Sequence, residues 1–226
     1  MSNPKLDALL PFLSAERLSK FDDALANRTR RLCLVLENVY QSRNASAVMR
    51  SCDGMGIQDV HLIEDINPWV FNRGVSKGTP SWLTLHRYRH EANATEACIA
   101  ALRTSGYKIA VTSPHVNGFQ AKDLPIDQPL ALVMGTEFEG VSERMLAEAD
   151  YHVFIPMRGL AESLNISVAA GMIMHRIVEN IRELPASDWQ LSAAEREILK
   201  LDWAVKSVKK ADALLRHLGF DAEAGE

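Results

Sequence analysis

The sequence predicts an α/β protein built on a mostly parallel sheet. Two observations lead there. Short apolar runs of strand length alternate with amphipathic segments of helical spacing, and each run ends at a polar or glycine-bearing loop. The chain has 226 residues, which suits one core of about 150 residues with extensions. We expect a helical extension over 1–30, an α/β core over 31–184 and a second helical extension over 185–226.

The elements follow in order. Ser14 can N-cap a helix whose apolar positions Leu18, Phe21 and Leu25 recur at 3–4 spacing. Residues 32–37 (LCLVLE) read as a buried strand. Asn44 can cap the next helix, which presents Val48, Cys52 and Met55 on one face and stops at Gly54 and Gly56. Residues 59–64 form a second strand. Residues 65–80 hold Pro68, Gly74, Gly78 and Pro80 and read as a long loop. A third strand falls at 82–85, a helix at 92–105 closed by Gly106, and a fourth strand at 107–111. Strands at 130–134 and 152–155 flank a helix at 142–149. The last core helix spans 167–183 and ends at Pro185. Ser192-Ala193-Ala194-Glu195 is a capping box. It opens a tail helix with an apolar seam of Ile198, Leu201, Val205, Val208, Leu215 and Leu218, closed by Gly219.

Composition narrows the function. The apolar content of 47% is ordinary for a globular chain. Cys33, Cys52 and Cys98 stand far apart in no CxxC pair, which argues against a zinc site and fits a reducing cytoplasm. The first residues have too short an apolar run for a signal peptide, and no run of about 18 apolar residues offers a membrane span. The net charge of −4 hides local basic clusters. Arg28, Arg30 and Arg31 form one, and Lys206, Lys209 and Lys210 another. A strand–GxGxxG–helix turn, a P-loop, HExxH and GxSxG are all absent. His115, in the loop after the fourth strand, reads as an ordinary loop residue.

Three constellations carry the chemistry. In the first, Asn44 opens a helix that places Arg50 beside its apolar face, with Asp53 as a structural partner at i+3. In the second, Gly135-Thr136-Glu137-Phe138-Glu139-Gly140 follows a strand. Glycine there lets a ligand approach the backbone. In the third, Ile155-Pro156-Met157 leads to Ser163-Leu164-Asn165-Ile166-Ser167. Three polar residues in alternation exceed what one helix cap needs. The strands at 130–134 and 152–155, taken as neighbours, would bring the last two loops to one crevice at their C-terminal ends.

Together these resemble motifs 1, 2 and 3 of the SpoU branch of the SPOUT methyltransferases, most closely the TrmH-type tRNA ribose 2′-O-methyltransferases. Motif 1 is matched by Glu37-Asn38-Val39-Tyr40-Gln41-Ser42-Arg43-Asn44 through Arg50 to Gly56. Motif 2 is matched by Met134-Gly135-Thr136-Glu137 with Gly140, and motif 3 by Ile155-Pro156-Met157 and Ser163 to Ala169. The resemblance covers residues 30–183. It implies a SPOUT α/β knot fold with a C-terminal trefoil knot, a homodimer, and S-adenosylmethionine as cofactor with no metal. By position, the cofactor contacts would be Thr112, Gly135, Ile155, Met157 and Leu164. The catalytic residues would be Asn44, Arg50, Glu137, Ser163 and Asn165. The substrate would be tRNA, at guanosine 18 of the D-loop, since both helical extensions accompany the core. Arg28, Arg30, Arg31, Lys206, Lys209 and Lys210 would contact RNA. Ribosomal RNA as substrate, and an inactive RNA-binding protein of this fold, are the alternatives.

Overall fold

The computed structural model describes residues 3–39, 41–66, 79–89, 93–113, 118–136 and 139–220. Glu137, Phe138, Tyr40, His115 and most of the 65–80 loop lie outside the described residues. Two compact units are present, Thr29–Trp189 and a second made of Met1–Arg28 with Gln190–Glu226.

The larger unit is a seven-stranded parallel sheet. Its strands are β1 (Leu32–Glu37), β2 (Asp59–Ile63), β3 (Thr84–Tyr88), β4 (Lys108–Thr112), β5 (Phe119–Gln120), β6 (Leu130–Met134) and β7 (Tyr151–Phe154). Their spatial order is β3-β2-β1-β6-β4-β7-β5. β1 lies inside the sheet, with Leu34 opposite Val60 on one side and Leu132 on the other. Buried on both faces, it reads as a continuous apolar run rather than an alternation. Its even-numbered residues Leu32, Leu34 and Leu36 enter one core cluster, and Cys33 and Val35 enter the other.

Helices α3 (Ser42–Met55) and α6 (Ile166–Arg182) cover the first face. Val48, Met49 and Cys52 of α3 share a cluster with Ile173, Met174 and Ile177 of α6, all within 2% of complete burial. Helices α4 (Ala94–Thr104) and α5 (Glu143–Ala147) cover the second face through Cys98, Leu102 and Met145. Burial pushes the Cys98 thiol up to about 12, so it stays a protonated apolar filler at neutral pH. Gly56 ends α3 at φ 79°, a conformation that costs a side-chain-bearing residue stability. A short α7 (Ala186–Trp189) follows α6.

Helix α3 begins one turn earlier than the sequence suggests. Gln41 is its N-cap, so Asn44 lies in the first turn and its amide is spared for other partners. The third strand falls at Thr84–Tyr88, two residues later than expected. Its side chains are all half-buried, as befits an edge strand. The strands β6 and β7 are not neighbours, because β4 is inserted between them. That corrects the two-strand crevice to a three-strand edge.

The smaller unit joins α1 (Pro4–Leu9), α2 (Ala15–Ala26), α8 (Ala193–Ser207) and α9 (Ala211–His217). Leu6 and Leu9 of α1 pack with Ala204, Ala211 and Leu215. The Phe21 ring meets Trp203 edge-on at 5.4 Å. The capping box at Ser192 and Glu195 is formed. The tail is two helices, not one. It breaks at Val208, and Lys210 sits at φ 58° and ψ 36°. Packing of Ala211 and Leu215 against the N-terminal leucines overrides the helical preference of the Lys209-Lys210 step. The expected seam is also incomplete, since Ile198 is 65% and Leu218 49% exposed.

A polar cluster braces β2 against β3. Arg30 donates to both oxygens of buried Asp59 at 2.5 and 2.6 Å, and His86 Nε2 lies 2.9 Å from Asp59 Oδ1. His61 stacks on His86 at 4.3 Å and pairs through Nδ1 with the Tyr88 hydroxyl at 2.9 Å. Burial, then repulsion from His86, lowers the His61 pKa to about 4. The folded state therefore resists a proton that the unfolded chain accepts near its ordinary value of 6.5. This contribution is complete above that value and is lost as pH falls toward 4. Urea unfolding at pH 7 and pH 4.5 should give a stability loss that is about 2–3 kcal/mol smaller in His61→Gln than in the wild type. An equal loss in both proteins would contradict the assignment.

Candidate functional site

All strands are parallel, so their C-terminal ends share one edge of the sheet. Registers Val111–Val133 and Thr112–Val153 align the ends of β6, β4 and β7 side by side. Gly135, Thr112 and Ile155 therefore stand along adjacent strand ends. The Thr112 hydroxyl donates to the Val133 carbonyl at 3.0 Å, so this side chain ties β4 to β6.

The loop after β6 is tightly closed. Thr136 N–H donates to the Gly140 carbonyl at 2.8 Å, and Gly140 N–H returns to the Thr136 carbonyl at 3.2 Å. The Thr136 hydroxyl accepts from Glu139 N–H at 2.9 Å. A methyl group on Gly135 would collide with the Gly140 carbonyl group and the Val141 nitrogen. Glycine is thus required by the loop's own backbone, a stronger reason than ligand approach.

The segment after β7 has the opposite character. Among the described residues, the peptide groups of 156–164 make no backbone hydrogen bonds. Ile155, Met157 and Leu164 are half-buried, while Ser163 is exposed. Exposed peptide donors and acceptors beside apolar side chains suit a flat heteroaromatic ligand read by its edges. Asn165 then caps α6, its Oδ1 accepting from Ser167 N–H at 2.9 Å and from the Ser167 hydroxyl at 2.6 Å.

Two of the sequence-predicted residues meet directly. Asn165 Nδ2 donates to Asn44 Oδ1 at 3.3 Å, joining positions 121 residues apart. Asn44 Nδ2 also lies 3.5 Å from Gln41 Oε1. Arg50, on the same helix as Asn44, is exposed. Ser163 makes no side-chain hydrogen bond among the described residues. Glu137 lies outside them.

The basic residues separate into two groups. Arg28 is 3% exposed, with its guanidinium 5.2 Å over the Trp203 ring. That corrects its expected RNA contact, because a buried cation cannot reach a phosphate. Arg30 is engaged with Asp59 as described, and Arg31 donates to the carbonyls of Ile126, Asp127 and Asp188. Lys209 and Lys210 are exposed, and Lys206 forms an exposed pair with Asp202 at 2.6 Å. Among the described residues no cluster of three His, Cys, Asp or Glu could hold a metal ion, and no helix is long and apolar enough to cross a membrane.

The sequence placed Glu37 at the start of motif 1 but gave no role to it, to Thr95 or to Ser142. Glu37 is 2% exposed at the end of β1 and accepts hydrogen bonds from both other residues. The signal was present as an acid closing an otherwise apolar strand.

A parallel α/β sheet whose β6, β4 and β7 end side by side, next to a segment of unpaired backbone, marks the class of protein. The particular family is given by comparison. The model of the SpoU rRNA Methylase family matches residues 31–175, and the chain belongs to that family. A tRNA (guanosine(18)-2′-O)-methyltransferase of Borreliella burgdorferi is 34% identical over 91% of this chain and 92% of its own length. Its namesake in Thermus thermophilus is 32% identical over 70% of this chain and 79% of its own. Among solved structures, the A. aeolicus TrmH/SpoU tRNA modifying enzyme superposes with a TM-score of 0.76 at 26% identity, covering 86% of this chain and 98% of that one.

Replacing Gly135 with alanine should destabilise the larger unit by at least about 2 kcal/mol, because the added methyl meets backbone that cannot yield. Chemical denaturation checks this, and an unchanged midpoint would show that the loop after β6 is not held as described.

Proposed function

We propose that the protein is an S-adenosylmethionine-dependent tRNA ribose 2′-O-methyltransferase acting at guanosine 18, the activity named for its relatives. The observation that carries the reading is the Asn165–Asn44 hydrogen bond. It couples the helix bearing Arg50 to the loop whose free peptide groups suit the cofactor. Thr112, Gly135, Ile155, Met157 and Leu164 would hold S-adenosylmethionine, largely through main-chain groups and apolar contact. Bound there, it would supply an electrophilic sulfonium methyl group. The trefoil knot implied by the family resemblance belongs to this proposal.

A ribose hydroxyl is a weak acid, so transfer needs alignment and electrostatic help with its proton. Arg50 is exposed and is held on a rigid helix by the buried Val48, Met49 and Cys52. A guanidinium rarely gives up its proton, so its role is a bidentate clamp on the phosphate next to the target ribose. Asn44 and Asn165 fix each other and orient the ribose, with Ser163 at the rim. Glu137 orients Arg50 or the ribose. Lys206, Lys209 and Lys210 would contact tRNA phosphates. The exposed side chains of Val168 and Met172 on α6, 49% and 52% accessible, support a homodimer.

Single-turnover methyl transfer tests the clamp. Arg50→Lys should lose about 100-fold or more in rate, since the ammonium keeps charge but loses the fork. A near-wild-type rate with an unchanged pH profile would sink it. Asn44→Ala and Asn165→Ala should be non-additive in rate by at least about fivefold, because each removes the same bond. Additive losses would show the two residues act independently.

The RNA grip is best tested by point changes. Deleting 190–226 would strip the N-terminal helices of their packing partners. Lys209→Ala with Lys210→Ala should weaken tRNA binding several-fold at moderate salt and lower the slope of log affinity against log salt by about 1–2. Cofactor affinity should not change. Unchanged tRNA affinity would remove these lysines from the contact surface.

A further inference from the structure

Glu37 is the last residue of β1 and one of few buried charged groups among the described residues. Its two carboxylate oxygens take two hydrogen bonds from Ser142 and a third from Thr95, whose single hydroxyl proton is shared with Asp65 Oδ2 at 3.2 Å. Oε2 accepts from Ser142 N–H at 2.8 Å, and Oε1 accepts from the Ser142 hydroxyl at 2.7 Å and the Thr95 hydroxyl at 3.1 Å. Ser142 is therefore gripped through both its main chain and its side chain, which fixes its position and its rotation. The Ser142 oxygen also caps α5 by accepting from Met145 N–H at 3.2 Å.

The placement gives this grip a consequence. One residue beyond Glu37, Asn38 turns the chain at φ 51° and accepts from Ile66 N–H at 3.0 Å. The chain then enters α3, which carries Asn44 and Arg50. Two residues before Ser142, Gly140 closes the Thr136–Gly140 loop after β6. A single carboxylate thus bolts the exit of β1 to the return of the β6 loop. The donors are all neutral, and among the described residues no cation lies within ion-pair distance of Glu37. Burial of such a carboxylate is costly unless its hydrogen bonds are all made.

We propose that Glu37 is a positioning residue for methyl transfer, holding the loop after β6 in register with the Asn44–Arg50 helix. The inference rests on the methyltransferase reading above. It assigns Glu37 no contact with substrate or cofactor. A displacement of about 1 Å between parts of a site can cost roughly 100-fold in rate, so losing this tie should be felt in turnover more than in binding.

The test compares Glu37→Ala with Glu37→Gln in the full-length protein. Three quantities are read, namely the single-turnover rate with tRNA, the S-adenosylmethionine affinity, and amide hydrogen exchange at Glu139, Gly140 and Ser142. Glu37→Ala should lower the rate at least about tenfold while cofactor affinity stays within about threefold. Exchange at the three amides should quicken while that of β6 does not. Glutamine can accept from Ser142 N–H and donate to the two hydroxyls, so Glu37→Gln should recover most of the rate. A wild-type rate in Glu37→Ala would overturn the proposal. So would a loss of rate and affinity in equal measure with exchange quickened throughout. Absence of transfer in the wild type would instead defeat the methyltransferase reading, and the exchange comparison would still report on the tie.

Discussion

The common direction of all seven strands is the constraint on which the rest depends. In a parallel sheet every connection must cross back over a face, which is why helices cover both sides of β1 and leave it buried throughout. The same constraint gathers every strand's C-terminal end on one edge. With β4 inserted between β6 and β7, three strand ends stand there rather than two. A crevice follows from the topology before any side chain is considered. The side chains then decide what the crevice does. The paired Thr136 and Gly140 fix the backbone on one side, and the peptide groups of 156–164, unpaired among the described residues, are open to a ligand on the other.

Rigidity and availability are divided between residues in a consistent way. Arg28, Arg30 and Arg31 are engaged inside the fold, by an indole, a buried carboxylate and three carbonyls. Arg50, Lys209 and Lys210 are exposed. The structural use of a cation depends on a partner nearby in space, which charge clustering along the chain does not reveal. The left-handed Lys210 has the same lesson. A long side chain in that conformation is disfavoured, and it persists where packing of α9 against α1 fixes the turn.

Much of the fold was legible because burial writes itself into the chain. Strands β1 and β6 are continuous apolar runs and were found at their true limits. The capping box of α8 was equally plain, because its two residues satisfy each other locally. Strand β3 was misplaced because an edge strand with the sequence Thr-Leu-His-Arg-Tyr carries little apolar signal. The neighbours of β6 could not be read, since strand order is decided by crossover paths and not by local pattern. Helix α1 went unnoticed because six residues give less than two turns of periodicity. In the site, the motif residues were recognisable by type and spacing. The Asn44–Asn165 bond and the Glu37–Ser142 grip join residues 121 and 105 apart and needed the fold to appear.

On the methyltransferase reading, the C-terminal edge of the sheet directs a methyl group to a ribose oxygen of tRNA. This is tested most directly by incubating unmodified tRNA with the protein and S-adenosylmethionine and mapping the product by mass spectrometry of nuclease digests. One added methyl group is expected, on the ribose 2′-oxygen of guanosine 18, and none with the Arg50→Ala protein. A methyl group on a base, or no methylation of any tRNA by a protein that binds the cofactor, would contradict it.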